Sequence, residues 1–253
     1  MTASSSPKSD PKTLAQGKLI LALDVDTVER ARELVVMLRD HVGMFKIGSQ
    51  LFTAAGPGLV REIVTSGSRV FLDLKFHDIP NTVAAAGVAA TRFGVSIFNV
   101  HASGGSEMMR RTADAVANTA IAESLARPSV IAVTVLTSAD ASVLSSVGLN
   151  CEPDQQVTRL ALLAAASGMD GVVASPHEVS RIRAAVGAQT FLVVTPGVRP
   201  SDSASDDQRR VMTPAQAMTA GADYLVVGRP ILSAANPVET ARAIVNDMAE
   251  VLC

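Results

Sequence analysis

The sequence predicts an α/β fold, a single-domain (β/α)8 (TIM) barrel, and three observations carry that prediction. Short apolar runs alternate with segments of helical period, the alternation recurs eight times at roughly 30 residues per unit, and polar residues gather just past the apolar runs. Parallel strands joined by right-handed crossover helices are the economical arrangement of such a series, and eight of them close. A doubly wound open sheet is the alternative, but no Gly-x-Gly-x-x-Gly follows the first strand.

Residues 18–23 read as the first strand and run into Asp24-Val25-Asp26-Thr27, the polar stretch expected where a helix is capped. Residues 28–40 carry Val28, Ala31, Val35 and Leu38 at helical spacing. The second strand, residues 44–47, precedes a helix that includes residues 59–65. In the third strand, residues 70–76, side chains two apart share a face, so Phe71, Asp73 and Lys75 point one way and Leu72, Leu74 and Phe76 the other. An Ala- and Val-rich helix at 82–93, a strand at 96–100 and a helix at about 105–124 come next. Strand five, residues 130–135, leads to a helix at about 154–167, and strands at 171–174 and 191–194 flank a helix at 176–186. A helix at 214–220, a last strand at 224–227 and a closing helix ending near Val251 complete the series.

Composition bounds the function. With 48% apolar and 18% charged residues the chain suits one large enclosed core, placed at residues 17–253, and residues 1–16, rich in Ser, Pro and Lys, read as a flexible tail. That tail lacks the apolar segment of a signal peptide, and no apolar run reaches the roughly 20 residues that span a bilayer, so the expected location is cytoplasmic and no membrane partner is expected. A net charge of −2, no Trp, one Tyr and seven Phe leave neither a basic footprint nor stacking material for nucleic acid. Cys151 and Cys253 have no metal-ligand spacing, and no metal site is expected.

In a barrel the working residues sit at strand C-termini and in the loops beyond. Read in order, those ends carry Asp24, Lys46, Asp73 with Lys75 and Asp78, Asn99 and His101, Thr137, Ser175 with His177, Gly197 with Arg199, and Gly228 with Arg229. Helix capping competes as an explanation for Asp26, Asn99, Ser175 and His177. It explains Lys46, Asp73 and Lys75 poorly, because charge on a buried strand face needs a partner or a ligand to offset desolvation. A salt-bridge cluster of purely structural use is the competing account of those three. The last two strands each end in a glycine followed closely by an arginine, a combination that brings backbone N–H groups and a guanidinium fork to an oxyanion, at the usual phosphate position of this barrel. The polar stretch 200–212 between them is long for a connection and reads as an active-site lid or a solvated loop.

Asp73-Leu74-Lys75-Phe76-His77-Asp78-Ile79-Pro80-Asn81-Thr82 resembles the Asp-x-Lys-x-x-Asp signature of the orotidine 5′-phosphate decarboxylase family. The resemblance continues through Leu21-Ala22-Leu23-Asp24, Phe45-Lys46-Ile47-Gly48, Val133-Thr134-Val135-Leu136-Thr137-Ser138, Thr195-Pro196-Gly197-Val198-Arg199, Asp207-Gln208-Arg209-Arg210 and Val227-Gly228-Arg229-Pro230-Ile231, nearly the whole chain from Leu19. It implies loss of CO2 from orotidine 5′-monophosphate to give UMP, without metal or organic cofactor, by a homodimer with shared sites. By that resemblance Asp24 and Lys46 hold the ribose hydroxyls, Asp73 lies beside the departing CO2, and Lys75 protonates C6. Asp78 and Thr82 serve the partner subunit's site, Thr137 contacts the pyrimidine, and Gln208, Arg229 and, in the same loops, Arg199 and Gly228 hold phosphate.

The chemistry asks for these residue types independently. Loss of CO2 from C6 leaves an in-plane electron pair that the ring cannot delocalise, so a nearby ammonium must stabilise it and then protonate the carbon. The barrier reduction lies near the top of the range of about 8–23 kcal/mol that enzymes supply, more than one lysine gives, so phosphate binding must contribute. Asp73 either repels the substrate carboxylate or orients Lys75. Rival functions are a magnesium-dependent sugar-phosphate decarboxylase or aldolase, a Schiff-base aldolase using Lys75, and a silent phosphate-binding barrel. Lys46 is a poor neighbour for a metal, and flanking carboxylates keep Lys75 protonated rather than nucleophilic.

Overall fold

The computed structural model describes residues 10–199 and 212–252. In order the elements are α1 (Pro11–Lys18), β1 (Leu19–Ala22), α2 (Val28–Leu38), β2 (Met44–Gly48), α3 (Ser49–Thr65), β3 (Val70–Phe76), α4 (Pro80–Phe93), β4 (Ile97–His101), α5 (Gly105–Ala122), β5 (Ser129–Val133), α6 (Ala141–Ser146), α7 (Pro153–Ala166), β6 (Gly171–Val173), α8 (Val179–Val186), β7 (Leu192–Pro196), α9 (Pro214–Thr219), β8 (Tyr224–Val227), α10 (Arg229–Leu232) and α11 (Pro237–Ala249). All strand pairs are parallel and the sheet closes, β1 pairing with both β2 and β8. The predicted barrel is therefore observed, with strand bounds within two residues of those read from the alternation.

Strand alternation divides the core in two. Ile20, Ala22, Met44, Phe71, Ile97, Ile131, Val194 and Val226 fill the barrel interior. Leu19, Leu21, Leu72, Phe98 and their neighbours pack outward beneath the helices. Each such side chain, fully buried, contributes roughly 1.5–3 kcal/mol. On the inward face, two residues beyond Met44, Phe71 and Ile97, stand Lys46, Asp73 and Asn99, so the apolar floor gives way to polar groups at the strand C-termini.

Helices are seated by local chemistry. Thr27 caps α2, its hydroxyl accepting from Arg30 N at 3.2 Å, while Asp26 instead accepts from Gln50 Nε2 at 2.7 Å. Gly87 lets α4 and α5 meet: a Cβ there would stand 3.1 Å from Phe98 Cζ and from Val116 Cγ2. α3 is two helical pieces joined at Gly56 (φ 67°), with Pro57 opening the second. At the N-terminal end of the barrel two aspartates precede β6 and β8 and tie strands together. Asp170 accepts from Val130 N at 2.6 Å and pairs with Arg127, and Asp223 accepts from Val193 N at 2.7 Å and pairs with Arg183.

Two expectations change. The tail read as 1–16 is helical from Pro11 onward: Ala15 is fully buried, α1 packs on α11, and the end of α1 also lies so close to the turn before β2 that a Cβ at Gly43 would overlap the Gly17 carbonyl. Its composition is polar because one face lies in solvent, which hides it from a periodicity reading. The second addition is α6, set between β5 and α7 and capped by the Asp140 carboxylate, which accepts from Ser142 N and Val143 N. The stretch 200–211, read as a lid, lies outside the described residues, as do residues 1–9 of the expected tail.

Candidate active site

A cavity of about 330 Å³ opens at the C-terminal end of the strands. Asp24, Lys46, Asp73, Lys75, Thr137, Arg199, Gly228 and Arg229 all line it, brought together from the ends of six different strands. Phe71, Val133, Val173 and Val226 supply its apolar floor. Asp78 and Thr82 are exposed and lie off the cavity, Asp78 at the turn after β3 and Thr82 in the first turn of α4. Gln208 falls outside the described residues.

One alternating chain of charge organises the cavity. Lys46 Nζ stands 3.1 Å from Asp24 Oδ1 and 3.2 Å from Asp73 Oδ2, and Lys75 Nζ stands 2.6 Å from Asp73 Oδ1. Lys46 and Asp73 are each only 8% exposed, whereas Asp24 and Lys75 reach toward solvent at the two ends. Burial makes the pairing obligatory: an unpaired carboxylate at Asp73 would carry its full desolvation cost. Gly48 keeps the space beside Lys46 open, since a Cβ there would lie 3.1 Å from Nζ and 3.6 Å from Asp24 Oδ1. At Gly228 a Cβ would crowd Ala22 Cβ at 3.3 Å and make ordinary contact, 3.5 Å, with Asp24 Oδ2.

β3 is irregular where it carries this chemistry. Its pairing with β4 shifts register between Leu72 and Phe76, and Lys75 adopts φ 52°, the left-handed region that side chains seldom occupy. Asn99 is the residue that sequence reasoning undervalued. It is fully buried, caps no helix, and spans the irregularity, accepting from Lys75 N at 2.8 Å and donating from Nδ2 to Asp73 Oδ1 at 2.7 Å. The available signal was an amide at an inward position of an otherwise apolar strand. Ser175 does cap: its backbone N–H donates to Glu178 at 2.9 Å. Burial holds the Glu178 carboxyl above the usual range. His101 stacks at a tilt on His77, ring centroids 5.5 Å apart, and its pKa is lowered first by burial and then by His77 and Lys75, with Asp73 opposing.

Beyond β7, Gly197 (φ 86°) turns the chain so that Arg199 N can donate to the Met212 carbonyl at 3.2 Å, and Arg229 begins α10 just past the neighbouring strand β8. Arg199 and Arg229 thus line the cavity from β7 and β8, which stand across the closed barrel from β3 and β4.

The fold is that of a (β/α)8-barrel enzyme, with a cavity at the strand C-termini that holds buried, paired charge. The family model for the orotidine 5′-phosphate decarboxylase / HUMPS family matches residues 17–244, and the chain belongs to that family. It is 53% identical to the orotidine 5′-phosphate decarboxylase of Geotalea daltonii over 234 residues, 92% of this chain and 97% of the relative. It is 54% identical to the protein of the same name from Moorella thermoacetica over 231 residues, 91% of each chain. Among solved structures it resembles the crystal structure of orotidine 5′-phosphate decarboxylase from Lactobacillus acidophilus, with a TM-score of 0.80 at 36% identity, covering 91% of this chain and 98% of that one.

Proposed function

We propose that this chain removes CO2 from orotidine 5′-monophosphate to give UMP, the last step of de novo pyrimidine synthesis, in the cytoplasm. The observation that carries this reading is the placement of the Lys75 ammonium, held at 2.6 Å by Asp73 in an apolar-floored cavity that Arg199 and Arg229 also line, from strands across the barrel. Phosphate held by Arg199 and Arg229, with Gln208 and the Gly228 turn, anchors the substrate. Asp24 and Lys46 hold the ribose hydroxyls and Thr137 meets the pyrimidine. The scissile carboxylate then faces Asp73, CO2 departs over the apolar floor, and Lys75 stabilises the electron pair left at C6 and gives it a proton. Preorganisation accounts for the rate: the charges already stand in place and need no solvent rearrangement as the carbanion forms.

The magnesium-dependent sugar-phosphate reading is disfavoured by Lys46, whose ammonium fills the space between the Asp24 and Asp73 carboxylates where a divalent cation would have to sit. The assay is decarboxylation of orotidine 5′-monophosphate in excess EDTA. Full turnover is expected, and activity lost on chelation and restored by magnesium refutes the reading.

The working unit is a homodimer in which Asp78 and Thr82 complete the partner subunit's site. Their exposure and their position off their own cavity support this. Lys75→Ala and Asp78→Asn chains should each be nearly inactive alone yet regain partial activity when mixed. No recovery after verified subunit exchange excludes the sharing.

A further inference from the structure

Three residues of β3 stand against one of β4. Leu72 pairs with Phe98 and Phe76 with Val100, so Asp73, Leu74 and Lys75 together face Asn99 alone. Lys75 N has thereby lost its ladder acceptor, and its φ of 52° is a conformation that lysine does not hold without outside support. The Asn99 carboxamide supplies that support. Its oxygen accepts from Lys75 N at 2.8 Å, and its nitrogen donates at 2.7 Å to the same Asp73 oxygen that receives the Lys75 ammonium at 2.6 Å. One rigid planar group therefore fixes both the backbone that launches the lysine and the carboxylate that receives it.

We infer that Asn99 is a positioning residue for the reaction centre: its buried carboxamide locks the bulge of β3 and so sets where the Lys75 ammonium stands. It lies beneath the cavity lining rather than in it, so it acts through Lys75 and Asp73 and not on substrate. No other side chain of similar length serves. Aspartate offers the acceptor but turns a second oxygen against Asp73, leucine leaves the Lys75 N–H without its acceptor, and glutamine is a methylene too long for a site with no exposure. The catalytic consequence rests on the decarboxylase reading; the positional claim does not.

The experiment is steady-state turnover of orotidine 5′-monophosphate, UMP affinity and thermal midpoint for full-length Asn99→Leu and Asn99→Asp, with Asn99→Ala in reserve should leucine not fold. Placement errors near 1 Å cost about 100-fold. In both variants kcat should fall by about that factor, while KM and UMP affinity stay within about threefold because Asn99 touches none of the phosphate groups and Lys46 keeps its Asp24 partner. Folded Asn99→Leu with kcat within about tenfold of wild type overturns the inference, as does a loss of UMP affinity equal to the loss of kcat, which marks general collapse. A crystal structure of Asn99→Leu decides position independently: Lys75 should leave the left-handed region and its ammonium should leave Asp73. Lys75 unmoved overturns the claim. A wild-type chain that fails to turn over the substrate overturns the decarboxylase reading instead, and the crystallographic arm still decides the positional claim.

Discussion

Asp73→Asn removes one charge and almost no volume from the centre of the network. Asp73 pairs with two ammoniums at 2.6 and 3.2 Å, contacts worth about 5–6 kcal/mol each by Coulomb's law at an effective dielectric near 20 before desolvation and relaxation. Removing one partner of a buried pair costs about 3–5 kcal/mol in practice. The Lys75 side chain is 34% exposed, so solvent screens part of its share and the lower end, about 3 kcal/mol, applies. For a chain of this size that lowers the thermal midpoint by about 6–12 °C. On the proposed mechanism the lysine, released from its shortest contact, no longer waits at C6, and kcat should fall by about 10² to 10³, the usual cost of removing one preorganised group. UMP has no carboxylate opposite Asp73, so its affinity should change little. Scanning calorimetry, calorimetric titration with UMP and the decarboxylation assay read the three quantities. A variant that keeps its midpoint within about 2 °C and its kcat within about tenfold refutes the view that Asp73 organises the site.

Gly48→Ala should raise KM about tenfold with a smaller effect on kcat, because the new methyl presses on Lys46, one of the two residues proposed to hold the ribose; steady-state kinetics at saturating and limiting substrate separate the two. Thr195→Val should hold or raise the thermal midpoint, by up to about 4 °C, since the Thr195 hydroxyl is buried without a hydrogen-bond partner among the described residues. A fall of several degrees on calorimetry contradicts this. His101 has its pKa lowered from 6.5, so the unfolded chain takes up a proton that the folded one resists. Stability is therefore lost as pH falls from about 6.5 toward the folded value, and His101→Gln should flatten that slope in urea midpoints measured near pH 7.5 and near pH 5.5. Identical slopes in variant and wild type exclude the assignment.

The barrel was legible because two periods alternate cleanly. Strands such as Met44–Gly48 bury every residue, and helices such as Val28–Leu38 keep Ala31, Leu34, Val35 and Leu38 inside. α1 and α6 were not, being short, polar and held by contacts distant in sequence. The charges of the site were legible from where they stood: Lys46 and Asp73 extend inward-facing apolar rows, where burial demands a partner or a ligand. Their mutual geometry was not. Regular alternation predicts a smooth β3, and nothing in the letters of Asp-Leu-Lys announces a bulge with a lysine at positive φ. Asn99 was visible as a strand-end amide but ambiguous, since capping and cross-strand bridging ask for the same side chain. Only pairing with β4 separates them.

The packing of α1 against α11 bears on how the molecule can be handled. α1 feeds straight into the first residue of β1, at the end of the barrel remote from the cavity, and α11 lies beside it. A tether or fused domain joined through this helix pair leaves on the side away from the substrate mouth. Anchored there, the protein faces solution with its open end, so surface capture or fusion to another catalyst need not obstruct the traffic of nucleotide.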